Sequence, residues 1–170
     1  LLGGCASAAG TNEQDRTQVE TLATGAEETA VQSTLAKIDD TKWCYDETDD
    51  VYYQLGIAYC ASPADADYEQ LAIIVPAAYM QATANGDGTF TCSIDASGEV
   101  GGYTASTAPI VMPVNTPGYA AQAPMTEYTS VAEYTDAGFI YVHAGCRGRD
   151  AGAPAGVTDL KAAIRYLRYT

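Results

Sequence analysis

A strand, a glycine-bearing loop and a helix follow one another near the carboxyl end of this chain, and this unit constrains the fold most. Gly138–His143 is an apolar run that predicts a strand, and Gly156–Tyr169 predicts a helix. The loop between them spans residues 144–149. Because strands and helical stretches alternate along the chain, the pattern predicts an α/β architecture. Ligands of such folds bind at the carboxyl ends of strands, so this loop is the first candidate for a site.

The remaining elements follow from periodicity and turn residues. Helices are predicted over residues 12–38 and 125–137. Strands are predicted at residues 71–75 and 89–94, with a short one within 108–114. Residues 85–88 predict a turn, and residues 95–106 predict a loop. The last helix is expected to start with Thr158 or Asp159 as its cap. Its buried face is predicted to hold Val157, Leu160, Ala163, Ile164 and Leu167. We expect two parts: residues 1–42, a tether with an amphipathic helix, and residues 43–170, a domain.

Charge limits the classes of partner. The net charge is −14, and acids outnumber bases only in residues 1–100. A surface of this sign repels phosphate backbones and anionic lipids, so nucleic-acid binding and polybasic membrane attachment are disfavoured. An apolar fraction of 47% with 13 tyrosines argues against general disorder. The expected partner is a small molecule.

The amino terminus carries a short motif that indicates export. Leu2-Gly3-Gly4-Cys5 resembles the lipobox of bacterial lipoproteins, in which the cysteine receives the lipid, and a small, polar, tether-like stretch follows it. The alternative is a chance cysteine in a run of small residues. The motif predicts an extracellular, cell-surface lipoprotein of a bacterium, attached to the membrane only through a lipid on Cys5.

The other cysteines could form disulfides in an exported protein. Cys44, Cys60, Cys92 and Cys146 allow three pairings, which the sequence leaves open. Zinc binding is disfavoured because the cysteines are far apart and His143 is the only histidine. No metal or cofactor is predicted from these residues.

An acidic cluster between two predicted strands offers a calcium-loop alternative. The cluster contains Asp46, Glu47, Asp49 and Asp50, and Ca²⁺ prefers closely spaced oxygen ligands. The full spacing of a calcium loop is missing. A solvated turn is therefore the favoured interpretation.

Residues 138–149, followed by residues 159–168, resemble the α/β-hydrolase fold serine esterases, and in particular the bacterial tannase and feruloyl-esterase-like branch. The upstream stretch from Tyr59 to Pro76 is similar to the first strands of such proteins. The resemblance covers about residues 43–170. It implies a carboxylic ester hydrolase with a small-molecule ester as substrate and no cofactor.

The resemblance also assigns roles within the loop. The family stabilises the oxyanion through backbone N–H groups of a loop that often reads His-Gly-Gly-Gly, at about 3 kcal/mol per donor. His143-Ala144-Gly145-Cys146 occupies that place with two departures, which points to the amides of Gly145 and Cys146. His143 is then expected to be structural and to hydrogen-bond within its own loop.

Two arginines follow in the same loop. Arg147 and Arg149 could contact a phenolic or carboxylate group of a substrate, because a guanidinium suits planar oxygen acceptors. The alternative is an ion pair with Asp150 or Asp159.

None of the serines of this chain lies in Gly-x-Ser-x-Gly between a strand and a helix. In the family, the helix that resembles Gly156–Tyr169 precedes the strand that leads to the nucleophile. We therefore expect the amino-terminal part of a longer enzyme, inactive alone, whose Ser-His-Asp triad lies beyond residue 170. The alternative from another class is a non-enzymatic surface lipoprotein that binds sugars or peptides through a tyrosine-rich face.

Overall fold

The computed structural model describes Leu35 and residues 37–170, and its main feature is a five-stranded mixed sheet. The strands are β1 (Cys44–Asp46), β2 (Val51–Ala58), β3 (Gln70–Pro76), β4 (Met80–Ala84), β5 (Phe90–Ile94), β6 (Glu99–Val100), β7 (Tyr103–Thr104), β8 (Ile110–Val111) and β9 (Ile140–Ala144). The helices are α1 (Ala132–Thr135) and α2 (Ala155–Tyr169). Both classes of element are present, so the predicted α/β class is confirmed.

The main sheet has the order β1-β2-β3-β9-β8. Neighbouring strands are antiparallel from β1 through β9, whereas β8 and β9 run parallel. Leu71 lies opposite Ala144 in the central pair, and Ile110 lies opposite Ile140 in the parallel pair. The parallel pair therefore sends two loops toward the same edge of the sheet.

Strand β3 is the centre of the core. Its residues from Leu71 to Pro76 are all buried, as a continuous apolar run predicts for a strand covered on both faces. Leu71, Ile73 and Val75 belong to one apolar cluster, which includes Ala163 and Tyr166 of α2. Ile74 belongs to a second cluster on the opposite face, together with Val131 and Tyr141. The strand predicted at residues 71–75 is confirmed.

The acidic cluster is a hairpin turn between β1 and β2. Asp46 Oδ1 accepts hydrogen bonds from the backbone N–H groups of Thr48 at 3.0 Å and Asp49 at 2.9 Å. Asp49 and Asp50 accept hydrogen bonds from the hydroxyls of Tyr128 and Tyr45. Within residue 35 and residues 37–170, no group of acids, cysteines and histidine is arranged to hold a metal ion. The predicted turn between two strands is confirmed.

The turn predicted at residues 85–88 is also confirmed, and it connects β4 to β5. Gly86 and Gly88 have φ values of 88° and 92°, in the region that L-residues rarely adopt. The predicted strand over residues 89–94 matches β5. These local turn signals were sufficient because the hairpin needs no distant partner to define it.

Other local expectations were wrong. The predicted loop 95–106 contains the small two-stranded sheet of β6 and β7. The hydroxyl of the buried Tyr79 donates to the Gly138 carbonyl oxygen at 2.8 Å and lies 3.3 Å and 3.2 Å from the Val100 and Tyr103 carbonyl oxygens. The helix predicted over 125–137 is reduced to α1. Most of the helix predicted over 12–38 lies outside the described residues, and its described positions Leu35, Lys37 and Ile38 are not helical.

Helix α2 is confirmed, but its cap and its buried face differ from the prediction. The cap position is Pro154, with no side-chain hydrogen bond, and Asp159 lies inside the helix. The buried residues are Ala155, Asp159, Ala163 and Tyr166. Val157 and Ile164, which the apolar pattern assigned to the core, are 65% and 44% exposed. The buried face of α2 is therefore rotated from the predicted one, because Asp159 and Tyr166 are buried where Val157 and Ile164 were expected.

The four cysteines of the described chain, Cys44, Cys60, Cys92 and Cys146, are all free thiols, so none of the three disulfide pairings is formed. Cys5 lies outside the described residues, and its lipidation stays a prediction. No helix in the described part of the chain has the length and apolar character needed to cross a bilayer.

Candidate functional site

Two loops lie side by side at the carboxyl ends of the parallel strands. We call residues 112–124 the β8 loop and residues 145–154 the β9 loop. Gln122 and Cys146 join them through reciprocal backbone hydrogen bonds of 3.0 Å and 2.8 Å. The edge where parallel strands end is the usual ligand-binding place in α/β folds, so this double loop is the candidate site.

The side chain of Gln122 ties the β8 loop to the end of β9. This side chain is buried, its Oε1 accepts the Asn115 N–H at 2.6 Å, and its Nε2 donates to the Ala144 carbonyl oxygen at 2.8 Å. A buried amide with both ends satisfied fixes the loop, because breaking either bond leaves an unpaired polar group inside. Sequence reasoning missed Gln122, and no local motif marks it.

Two glycines of the β9 loop permit this close contact. A Cβ atom on Gly145 would lie 2.3 Å from the Tyr68 carbonyl oxygen, and one on Gly148 would lie 2.3 Å from the Ala121 nitrogen. Any side chain at either place would push the backbones apart. The glycines of this loop therefore serve the packing of two chain segments.

The amides predicted as oxyanion donors are already engaged. The Gly145 N–H donates to the Gln70 carbonyl oxygen at 2.8 Å, and the Cys146 N–H donates to the Gln122 carbonyl oxygen at 2.8 Å. In addition, the Tyr59 hydroxyl donates to the Gly145 carbonyl oxygen at 2.7 Å. In this arrangement neither amide hydrogen is directed at a substrate, and Gly145 and Cys146 extend the pairing of the sheet.

Arg147 forms an ion pair with Asp159, which the sequence analysis gave as the alternative to a substrate contact. Its Nε and Nη2 donate to the two carboxylate oxygens of Asp159 at 2.9 Å and 2.6 Å, and its backbone N–H donates to Asp159 Oδ2 at 2.9 Å. The Asp159 side chain is 2% exposed, and that of Arg147 is 20% exposed. The hydrogen bonds to Asp159 raise the pKa of Arg147 above its usual value. The guanidinium is thus committed to holding the β9 loop on α2.

Arg149 is placed differently. It is exposed, and its Nη1 donates to the Gly118 carbonyl oxygen of the β8 loop at 3.3 Å. Among the described residues, Asp159 pairs with Arg147, and neither Asp150 nor Asp159 forms an ion pair with Arg149. Of the two arginines predicted to contact a substrate, Arg149 keeps its guanidinium at the surface.

His143 is structural, but not within its own loop. Its Nε2 lies 2.8 Å from the carbonyl oxygen of Ala123, in the β8 loop. The expected partner was wrong because the two loops, distant in sequence, share this edge. His143 therefore adds a polar connection between β9 and the β8 loop.

A half-buried thiol, that of Cys60, lies close to the buried carboxylates of Glu69 and Asp159. Burial and a hydrogen bond to Glu69 raise the pKa of Cys60 to about 12. The raised pKa keeps this thiol protonated at neutral pH, so it is a poor nucleophile. Cys60 is therefore not a candidate nucleophile in place of a serine in a Gly-x-Ser-x-Gly motif.

The predicted tyrosine-rich face is largely used within the fold. Tyr53 stacks on Tyr128 with ring centroids 4.7 Å apart, and Tyr45 packs on Tyr52 at 4.9 Å. The Tyr45 and Tyr128 hydroxyls donate to aspartates of the hairpin turn. These four tyrosines therefore have structural contacts that explain their positions.

Several solved structures are similar to this chain. The tannase of Fusobacterium nucleatum has 26% identity and a TM-score of 0.53, over 69% of this chain and 25% of its own. A tannin acyl hydrolase in complex with ethyl gallate has 28% identity and a TM-score of 0.57, over 82% and 32%. The tannase of Lactobacillus plantarum has 28% identity and a TM-score of 0.56, over 82% and 31%. The tannase part of the resemblance is confirmed.

Neither a protein-family model nor a curated protein sequence matches the chain. The chain spans about a quarter to a third of the length of the three tannases. It is thus similar in structure to part of a tannase.

Proposed function

We propose that this chain contributes the amino-terminal part of a secreted carboxylic ester hydrolase of the tannase type, built on an α/β-hydrolase sheet. The observation that carries the proposal is the likeness to a tannin acyl hydrolase over 82% of this chain, with a TM-score of 0.57. Its substrate would be a small ester of an aromatic or other carboxylic acid.

The connection of β9 to α2 supports this fold. Helix α2 follows β9 and packs its Ala163 and Tyr166 on one face of the sheet. A strand that follows such a helix joins the sheet parallel to β9 through a right-handed connection in nearly all known cases. In the order β1-β2-β3-β9-β8, such a strand would lie beside β8. Its carboxyl end would then reach the edge occupied by the double loop.

The chemistry requires groups that the described residues do not supply. Ester hydrolysis through an acyl-enzyme needs a serine nucleophile, a histidine base and an acid that orients the base. No serine of this chain lies in a Gly-x-Ser-x-Gly motif. We place the triad in sequence that follows residue 170, as the fraction of each tannase that this chain spans suggests.

The role of this chain is then to shape one wall of the site. Arg147 holds the β9 loop through Asp159, and Arg149 remains available to an oxygen atom of the substrate. For Gly145 and Cys146 to act as oxyanion donors, both amide hydrogens would have to leave their present acceptors. The proposal therefore assigns the substrate contact to Arg149.

The test begins with the gene. Its reading frame should continue past Thr170 into a strand followed by Gly-x-Ser-x-Gly, and the complete product should hydrolyse ethyl gallate. A serine-reactive phosphonate should abolish this activity, and the 170-residue chain alone should be inactive. A reading frame that closes at Thr170, or a complete product without esterase activity, would overturn the proposal. Phosphonate-sensitive hydrolysis of p-nitrophenyl acetate by the 170-residue chain would overturn the placement of the triad.

Anchoring at the bacterial cell surface is a separate part of the proposal. It is supported by Leu2-Gly3-Gly4-Cys5 and the polar stretch that follows. Mass spectrometry of the native protein should find acyl chains on Cys5. An unmodified thiol at Cys5 would refute the lipid anchor and leave the esterase proposal standing.

A further inference from the structure

Tyr119 is the most exposed large aromatic side chain in the described structure. Its exposed fraction is 79%, and its φ is 61°, in the left-handed region that few residues other than glycine adopt. Gly118, which precedes it, is also left-handed with a φ of 59°. A left-handed tyrosine costs on the order of 1 kcal/mol, and its exposed ring gains little from burial. Packing within the fold does not explain this arrangement.

The backbone under Tyr119 is held in place. Pro117 begins a short 3-10 helix, Pro117–Tyr119, and the proline ring restricts its φ. Arg149 donates to the Gly118 carbonyl oxygen, and Gln122 ties the end of the same loop to β9. The strained residue thus stands on a supported loop, as side chains that contact ligands commonly do.

Tyr45, an exposed tyrosine on the opposite edge strand of the sheet, is different. Its ring packs on Tyr52 and Phe90, and its hydroxyl donates to Asp50 at 2.7 Å. Its position is therefore explained by structural contacts. Among residues 37–170, by contrast, no other aromatic ring contacts that of Tyr119, and its hydroxyl has no hydrogen-bond partner. The Tyr119 ring is thus free to meet a ligand at the candidate edge.

We propose that Tyr119 contacts the substrate and selects aromatic esters, with its ring stacked on the planar ring of the acyl group. Arg149 lies beside Gly118 and directs its guanidinium to oxygen substituents on that ring. An aromatic face next to a guanidinium fits a flat, oxygen-bearing ring better than an aliphatic chain. This inference rests on the proposed function, because it assigns a specificity-determining residue at the same edge.

Binding to the 170-residue chain tests the contact directly. In a titration with 3,4-dihydroxybenzoate followed by amide NMR, residues 117–121 and 149 should shift. Tyr119→Asn removes the ring and keeps a residue that tolerates positive φ, and it should weaken binding about 3- to 10-fold. Tyr119→Phe should stay within about twofold of the parent chain, as ring stacking requires. Tyr45→Asn, the matched control, should leave the affinity unchanged.

The saturated analogue cyclohexanecarboxylate carries the same charge without an aromatic ring, and it should bind more weakly than benzoate. Equal affinity for the two acids, or unchanged binding by Tyr119→Asn, would overturn the proposal. So would an absence of shifts in residues 117–121 at millimolar ligand.

Catalysis by the complete gene product gives an independent readout. Tyr119→Asn should lower kcat/KM for ethyl gallate about 3- to 10-fold and leave that for ethyl butyrate within about twofold. An equal loss for both esters would overturn the selectivity. If the complete product is no esterase but Tyr119 still governs binding of 3,4-dihydroxybenzoate, the proposed function fails and the aromatic contact stands. If the complete product is an esterase but Tyr119→Asn leaves its activity unchanged, the proposed function stands and the aromatic contact fails.

Discussion

The buried ion pair of Arg147 and Asp159 predicts a large and specific loss of stability. Asp159→Ala removes three hydrogen bonds at once and leaves the guanidinium without its partner. Removing one partner of a buried pair costs about 3 to 5 kcal/mol. The Arg147 side chain is 20% exposed and can regain some water, so we expect the low end, about 3 kcal/mol.

Urea unfolding followed by fluorescence measures this loss, because Trp43 is the single tryptophan and is buried. With a slope of roughly 2 kcal/mol per molar urea, the midpoint should fall by about 1.5 M. Asp150→Ala is the matched control, since Asp150 is exposed in the same loop, and its midpoint should move by less than about 0.3 M.

A double substitution separates the ion pair from the simple loss of a side chain. Arg147→Met together with Asp159→Leu removes both charges and should be more stable than Asp159→Ala alone, because no unpaired buried charge remains. The double variant should still be less stable than the parent chain, since the backbone N–H of residue 147 also loses its acceptor. If the double variant shows the sum of the two single losses, or if Asp159→Ala shifts the midpoint no more than Asp150→Ala does, the reasoning is refuted.

Three further predictions follow from the same contacts. Because its pKa is raised to about 12, the Cys60 thiol should react with iodoacetamide at pH 8 at least about tenfold more slowly in the folded chain than in urea, as followed at Cys60 by peptide mass spectrometry, and equal rates would contradict the raised pKa. The protonated thiol stabilises the fold below pH 9, and this contribution is lost as the pH rises toward 12. Gly148→Ala should lower the urea midpoint more than Gly152→Ala does, because a Cβ at Gly148 would lie 2.3 Å from the Ala121 nitrogen, whereas at Gly152 only the positive φ of 85° disfavours alanine; equal losses would contradict the contact at Gly148. Tyr79→Phe removes the hydroxyl that donates to the buried Gly138 carbonyl oxygen and should cost about 1 to 2 kcal/mol in urea unfolding. Tyr45→Phe should cost less because the hydrogen bond of the Tyr45 hydroxyl is exposed; equal costs would contradict the role of the buried hydroxyl.

The elements that could be predicted from the sequence are those whose cause is local. The continuous apolar run of β3, the glycine turn before β5 and the apolar periodicity of α2 each indicated the right element within a residue or two. The helix predicted over 125–137 failed because its apolar residues fill a cluster with Ile74 and Tyr141 instead of forming a helical stripe. Short-range periodicity cannot distinguish those two uses of the same residues.

The contacts of the site depended on partners far apart in sequence. Asp159 was offered both as a cap of its own helix and as an ion-pair partner of the loop arginines, and only the ion pair is formed, with Arg147, 12 positions earlier. His143 was expected to bind within its loop and instead binds Ala123. The loop residues were correctly placed at one edge, but the pairing of their polar groups followed from the parallel alignment of β8 and β9, which no local pattern encodes.

That alignment also explains why the edge can be both rigid and accessible to a ligand. Gln122, His143 and Arg147 each connect a loop to another element, so most polar groups near the backbone are satisfied internally. Arg149 and Tyr119 project from this fixed base into solvent. A ligand that binds them need not order the loop beneath them, so less of the binding free energy is lost to conformational entropy. Substitutions at the connecting residues should therefore weaken ligand binding through loop mobility, whereas Tyr119→Asn should weaken it without lowering stability.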